Sequence, residues 1–324
     1  MKSRVTSFLL QVVCASLILG ASAADTPFVK KTHAFKTVDD LKIHADVHRP
    51  DDSQVRPVIV WIHGGALIMG SRAGVPQRLL ELCRTEGFAL VSIDYRLAPE
   101  VKAAEILADV RDALRWVRGD GAREFHLNPD KLVVSGGSAG GYLTLAVGGS
   151  FEPRPAALVA YWGYGDVDGA WYAQPSTFYR TNQPLIRREE ALAAVGGPVL
   201  TGSDNRTPQQ AARSKYYHYL RQNGLWPQEV IGLDPAKDRA KFDPYCPVRH
   251  VSPQHPPTLL LHGTVDTDVP YEQSAKMAEA LAKQKVPHEL VTVPGAGHGL
   301  AGGDKQLVEA ANARALEFIK LHLR

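Results

Sequence analysis

Apolar residues in this chain fall into short unbroken runs separated by amphipathic stretches. Residues 57–62 read PVIVWI, 88–93 FALVSI, 131–134 KLVV, 156–161 AALVAY, 258–261 TLLL and 289–293 ELVTV. Runs of Val, Ile and Leu without polar alternation predict strands covered on both faces, as in a parallel sheet. Between them lie helical patterns. Residues 76–86 place Leu79, Leu80, Leu82 and Cys83 on one side, and 103–118 space Ile106, Val110, Leu114 and Val117 three or four apart. Residues from Tyr142 onward, 271–285 and 304–323 share that period. Strand and helix in alternation predict an α/β fold. It is a doubly wound, mostly parallel sheet of about eight strands, with ligands at the carboxyl ends of the strands. Residues 27–50 alternate at Phe35, Val38, Leu41, Ile43, Ala45 and Val47, which predicts an antiparallel hairpin leading into the sheet.

One segment breaks the rhythm. From about 163 to 249 no strand pattern occurs, yet Trp171, Tyr172, Phe178, Tyr179, Tyr216, Tyr217, Tyr219 and Trp226 crowd there. Long irregular stretches in compact domains are usually functional lids. We read it as a helical insertion capping a site; the alternative is a peripheral decoration whose aromatics fill a small core of their own.

The N-terminus has a different character. Lys2 and Arg4 precede an uncharged run to Gly20, and Ala21-Ser22-Ala23 follows. This is the pattern of a secretory signal over residues 1–23, cleaved after Ala23 or Ala24, which leaves residues 24–324 as the catalytic domain. The apolar run is shorter than the roughly 20 residues a spanning helix needs, so no stable membrane anchor is expected. The expected location is secreted or periplasmic. Removing residues 1–23 takes away two cations and no acid, so the net charge of +3 falls to +1. A nearly neutral chain without basic runs gives no support for nucleic-acid binding. Cys83 and Cys246 remain, either as one disulfide or as two buried thiols.

Candidate chemistry sits where the strands end. Gly136-Gly137-Ser138-Ala139-Gly140 matches G-x-S-x-G, directly after a strand and before a helix-compatible run. That is the setting of a nucleophile elbow, in which small neighbours allow a sharp, strained turn. His63-Gly64-Gly65-Ala66 ends an earlier strand. Acyl transfer needs backbone donors aimed at the oxyanion. Ala139 supplies one, and Gly65 with Gly64 or Ala66 supplies the other; His63 is expected to brace the loop. Serine also needs a base. His298, flanked by glycines after the last strand, fits the chain order Ser, acid, His, whereas His262 precedes the acid. The acid lies on the loop after 258–261, where Asp266 and Asp268 compete; the one not used caps the following helix. Neither a metal nor an organic cofactor is expected.

His63-Gly64-Gly65, Asp94-Tyr95-Arg96-Leu97-Ala98-Pro99-Glu100, Gly136–Gly141 and the Asp266…His298 pair resemble the hormone-sensitive-lipase-like esterases of the α/β-hydrolase superfamily and the related feruloyl and acetyl esterases. The resemblance spans about residues 35–320. It implies Asp266 as the acid, with Asp268 as the helix cap, and a secreted serine carboxylic ester hydrolase acting through an acyl-enzyme. The substrate would be a small-molecule or carbohydrate-linked ester. Ala66 stands where the lipase-like members carry a third glycine, which shifts the likeness toward H-G-G-x esterases. The H-G-x-x-D-x-x-V-P segment is also similar to prolyl-oligopeptidase-type peptidases, whose propeller this length does not hold. A catalytically dead binding protein on the same fold is the reading from another class.

Overall fold

The computed structural model describes residues 26–202 and 208–324. The leader-like segment 1–23 lies outside them. Eight strands form one sheet in the order β1-β2-β4-β3-β5-β6-β7-β8. β1 (Phe28–Val38) and β2 (Leu41–Pro50) make the antiparallel hairpin, and β2 joins β4 antiparallel. All later pairings, among β3 (Arg56–Ile62), β4 (Ala89–Ile93), β5 (Leu127–Gly137), β6 (Ala157–Tyr161), β7 (Thr258–Gly263) and β8 (His288–Val293), are parallel.

The unbroken apolar runs are explained by burial on both sides. Val58, Val60 and Ile62 of β3 face one core and Ile59 and Trp61 face the other. The first core is closed by α2 (Ala103–Arg118), α3 (Asp120–Phe125) and α4 (Ala139–Gly148). The second is closed by α1 (Gln77–Glu86) and by the C-terminal helix, Lys305–Leu323. Cys83 belongs to the second core and Cys246 to the first, so the sheet separates them and both are free thiols. Of the two states the sequence allowed, the disulfide is therefore excluded. The short helix α3 has no counterpart in the sequence pattern, being a single turn and a half with few apolar positions.

Residues 163–249 contain no strand among those described. They form α5 (Ala170–Ala173), α6 (Thr177–Thr181), α7 (Arg188–Leu192), α8 (Pro208–Asn223) and short helical turns. Their aromatic rings join the first core rather than standing apart. Tyr164 stacks on Tyr142 of α4 at 4.8 Å, Trp171 stacks on Tyr172, and Tyr172 stacks on Trp226. Offset aromatic pairs of this kind hold surfaces together beyond simple area burial. After the insertion, α9 (Glu272–Lys283) covers β7 and β8, and the C-terminal helix becomes α10.

The tightest crossing lies between β3 and the start of α4. A Cβ on Gly140 would sit 2.0 Å from the Ile62 carbonyl oxygen, and one on Gly136 would sit 2.4 Å from the Gly140 backbone. Gly140→Ala is therefore expected to cost about 2–4 kcal/mol through backbone displacement. Gly197→Ala, where a Cβ meets nothing within 4 Å, is expected to stay within about 0.5 kcal/mol of the parent. Denaturant midpoints of the two variants check this.

Candidate active site

Ser138 occupies the turn between β5 and α4 with φ +57° and ψ −120°. A non-glycine residue there is strained, and the crossing just described holds it in place. The turn lifts the side chain off the sheet edge, and the Ser138 N–H is fixed by the Tyr161 carbonyl of β6 at 2.9 Å. Helix α4 starts at the next residue, so its unpaired N–H groups and positive end face the space around Ser138 Oγ.

His298 reaches the same point from the loop after β8. Its Nε2 lies 3.1 Å from Ser138 Oγ and its Nδ1 lies 2.7 Å from Asp266 Oδ2. A carboxylate only accepts, so Nδ1 carries the hydrogen and Nε2 accepts from the serine hydroxyl. The glycines around this histidine allow a tight local turn, with Gly299 at φ +69°. Asp266 has no exposed side-chain surface. Its Oδ1 accepts from the Asp268 and Val269 N–H groups, each at 2.9 Å. Its Oδ2 also faces His262 Nε2 at 3.2 Å. That nitrogen donates to the Val269 carbonyl at 3.0 Å, while Ser274 Oγ–H donates to Nδ1 at 2.7 Å. His262 thus buttresses the acid from behind.

These contacts set the protonation of the site. Burial opposes a charge on Asp266, but hydrogen bonds from His262 and His298 outweigh it and hold the carboxyl well below the usual carboxylate range. Burial likewise opposes a charge on His298. The hydrogen bond to Asp266 and the charges of Asp268 and Asp266 overcome it, so the imidazole is more basic than an ordinary histidine.

The loop after β3 packs against the serine. A Cβ on Gly64 would lie 2.7 Å from the Gly137 carbonyl and 3.2 Å from Ser138 Cβ, so only glycine fits. Gly65 adopts φ +109° and turns its carbonyl inward to accept from Ile68 and Met69 N–H. Ala66 is held at φ +56°, and its carbonyl accepts from Trp226 Nε1 at 3.1 Å. His63 stacks on Tyr95 at 4.2 Å, and its Nδ1 donates to the Gly64 carbonyl at 2.8 Å. Burial lowers its pKa, which leaves it a neutral brace.

A cavity of about 350 Å³ opens beside Ser138. Trp61, Tyr161 and Trp162 supply its aromatic wall, Gly64 and Gly137 its floor at the serine, and Arg78 is the charged side chain among its lining. Trp162, at φ +38°, also meets the His298 ring edge-on at 6.3 Å. Among the described residues, 163–249 supply none of this lining. They press instead on the Ala66 loop through Trp226, and on the Asp268 loop.

Asp268 departs from expectation. Helix α9 has Tyr271 at its N-cap and no side-chain cap. The Asp268 carboxylate instead accepts from Tyr179, Tyr217 and Arg221, and its Oδ2 lies 3.6 Å from His298 Nε2. A buried arginine and two insertion tyrosines outcompete the helix N-terminus for it. The D-x-D spacing at 266–268 was the one sequence signal for this second carboxylate. Among the described residues no cluster of His, Cys, Asp and Glu suits a metal ion, and no helix is long and apolar enough to cross a membrane.

Comparison with known proteins extends this picture. A non-reducing polyketide synthase of Penicillium brasilianum is 26% identical over 98% of this chain, and the 5-methylorsellinic acid synthase of Aspergillus terreus is 28% identical over 83%. The chain spans only 15% and 12% of those two proteins. A Staphylococcus aureus protein of unknown function superposes with TM-score 0.70 at 20% identity, covering 91% of this chain and all of that one. Esterase 2 of Thermogutta terrifontis superposes with TM-score 0.60 at 24% identity, covering 91% and 93%. The family described by the alpha/beta hydrolase fold matches residues 59–302, and membership supports hydrolase activity. Sheet order, strand-end site and family match agree: this chain belongs to the alpha/beta hydrolase fold family.

Proposed function

We propose that the protein is a serine carboxylic ester hydrolase working through an acyl-enzyme. The observation that carries this reading is the continuous hydrogen-bonded chain from Ser138 Oγ through His298 to Asp266. In the first half-reaction His298 Nε2 takes the Ser138 proton as Oγ bonds to the ester carbonyl carbon. The carbonyl oxygen gains the charge, and the Ala139 N–H and the Gly64–Ala66 loop receive it. Collapse expels the alcohol, which takes the proton from His298. Water then repeats the cycle on the acyl-serine and releases the acid. Asp266 keeps the productive tautomer and offsets the imidazolium charge throughout. No metal or organic cofactor has a part in these steps.

A 350 Å³ cavity with an aromatic wall suits a small or medium acyl group. Butyrate and propionate, named with the Thermogutta terrifontis esterase, are of that size. A carbohydrate-linked ester is the alternative substrate, which the acetylated-xylan arm below tests. The signal-like pattern of residues 1–23 supports export to the periplasm or medium. The exported chain is expected to begin at Ala24 or Asp25 on N-terminal sequencing; an intact Met1 on the exported chain would contradict this.

A panel of p-nitrophenyl esters of increasing acyl length, beside acetylated xylan, methyl ferulate and a prolyl dipeptide amide, tests the activity. Short and medium esters are expected to turn over and the amide is not. The reverse pattern excludes the esterase reading. Ser138→Ala is expected to lower kcat by about 10⁴-fold or more. A fluorophosphonate should add its mass to the peptide carrying Ser138 and to no other.

The base must be neutral to act. Because the His298 pKa is raised above the ordinary 6.5, activity is expected to fall as pH drops through a midpoint above that value and to be full on its alkaline side. A kcat/KM profile measured on a neutral ester, flat down to pH 6, would remove His298 from this role.

A further inference from the structure

Among the described residues the insertion does not line the cavity beside Ser138, yet it builds a buried charged cluster behind the histidine. Arg221 of α8 is the centre of that cluster. Only 3% of its side chain is exposed, and the rings of Trp171, Tyr172, Tyr179 and Tyr217 surround its guanidinium at 4.9–5.8 Å. Cation–π contacts and burial of the stem stabilise such a cage. Among the described residues the carboxylate it meets is that of Asp268. Arg221 Nη1 donates to Asp268 Oδ1 at 2.7 Å and to the Asp268 carbonyl at 2.9 Å. Tyr179 Oη–H donates to the same Oδ1 at 3.0 Å, and Tyr217 Oη–H does so at 2.5 Å.

Three donors therefore converge on one oxygen and leave the other free. That other oxygen, Oδ2, faces His298 Nε2 at 3.6 Å. The separation is too long for a hydrogen bond but short for an ion pair. Nε2 thus remains available to Ser138 while sitting in the field of a second carboxylate. Every side chain that fixes Asp268 comes from the insertion.

We propose that Asp268 is a positioning residue for the base, and that the insertion, by clamping it through Arg221, Tyr179 and Tyr217, sets the basicity of His298. This rests on the reading of Ser138 and His298 as nucleophile and base. When the serine proton moves to Nε2, the imidazolium forms between two carboxylates, Asp266 at Nδ1 and Asp268 beside Nε2. Asp268 takes no proton; its charge offsets the one that develops. The cluster around the ring consists of Asp266, Asp268, Arg221 and the hydroxyls of Ser138, Tyr179 and Tyr217, with His262 behind Asp266. Arg221 opposes the imidazolium, but it stands behind Asp268, and the nearer carboxylate has the larger effect. His218 of α8 is the remaining titratable ring in the field of Asp268, and burial lowers its pKa.

The test is the pH dependence of kcat/KM on a neutral p-nitrophenyl ester, with His298 ring protons followed by NMR. Asp268→Asn keeps the shape and removes the charge. It is expected to move the acid limb, and the His298 titration with it, down by about half a pH unit or more. At the plateau kcat should fall about three- to tenfold with little change in KM. Tyr217→Phe removes one donor and leaves the charge, so its acid limb should not fall. His218→Gln, which removes the other titrating ring, should leave the limb in place. An unchanged midpoint in Asp268→Asn overturns the proposal, as does an equal fall in Tyr217→Phe or a fall in His218→Gln. Asp268→Asn leaves Arg221 buried without a countercharge and is at risk of misfolding. The double variant Asp268→Asn/Arg221→Met removes both charges, and a smaller shift in the same direction is expected of it. An unchanged midpoint in the double variant also overturns the proposal. If Ser138→Ala keeps its turnover, the reading of the site itself falls; if serine is required and the limb does not move, only this inference does.

Discussion

A backbone contact comes before all the chemistry in this protein. Gly140 passes so close to the end of β3 that the Ile62 carbonyl occupies the place of a side chain. This proximity forces α4 to start at once after β5, and Ser138 is left in a conformation that serine avoids in open chain. The strain is offset by core on both faces of the sheet. Strand ends then deliver the rest: β3 leads to the Gly64 loop, β7 to Asp266, and β8 to His298. Parallel order makes these ends converge on one edge, as an open α/β sheet requires. The site is a consequence of strand direction, and the individual loops add only the last few ångströms.

The charges at that edge follow from the same economy of donors. A fully buried carboxylate is costly unless its lone pairs are filled. Asp266 fills them with two backbone N–H groups and His298, with His262 Nε2 set behind. Asp268 fills one oxygen with three donors from the insertion. Two carboxylates and one guanidinium leave the cluster one negative charge in excess while the histidines are neutral. A single proton on His298 restores neutrality. The resting site is therefore arranged around a charge that exists only during turnover, which is what electrostatic preorganisation means physically.

The fold was legible because burial on both faces writes itself into sequence as unbroken apolar runs. The eight strands and helices α1, α2, α4, α9 and α10 lie within a residue or a few of the patterned segments, and the 27–50 alternation is the observed hairpin; α8 falls inside the insertion, read only as helical. Short elements escaped, α3 among them, because one or two turns carry too few apolar positions to show a period. In the site, Ser138 and His298 were separable from other serines and histidines because each follows a strand end in a fixed order, whereas Asp266 was chosen over Asp268 on the same loop only by the family resemblance. The structure brings the three within hydrogen-bonding reach of one another. Asp268 was misread as a helix cap for a physical reason. A helix N-terminus is a local attraction visible in sequence, whereas Arg221, Tyr179 and Tyr217 reach Asp268 from 47 to 89 residues away.

The insertion shows why aromatic density alone misleads about position. Its rings suggested a cap over the serine; among the described residues, the cavity beside Ser138 is walled by Trp61, Tyr161 and Trp162. The insertion's own rings stack inward, on Tyr142 and among themselves, and around the Arg221 guanidinium. A cation needs a countercharge at such depth, and the nearest backbone able to supply one is the loop that already carries the acid. Two acids two residues apart then take different roles because their surroundings differ. One is buried by β7 and bonded to imidazole, and the other is held by tyrosines and arginine beside the same ring. What the insertion contributes to the site is thus a fixed charge beside the base.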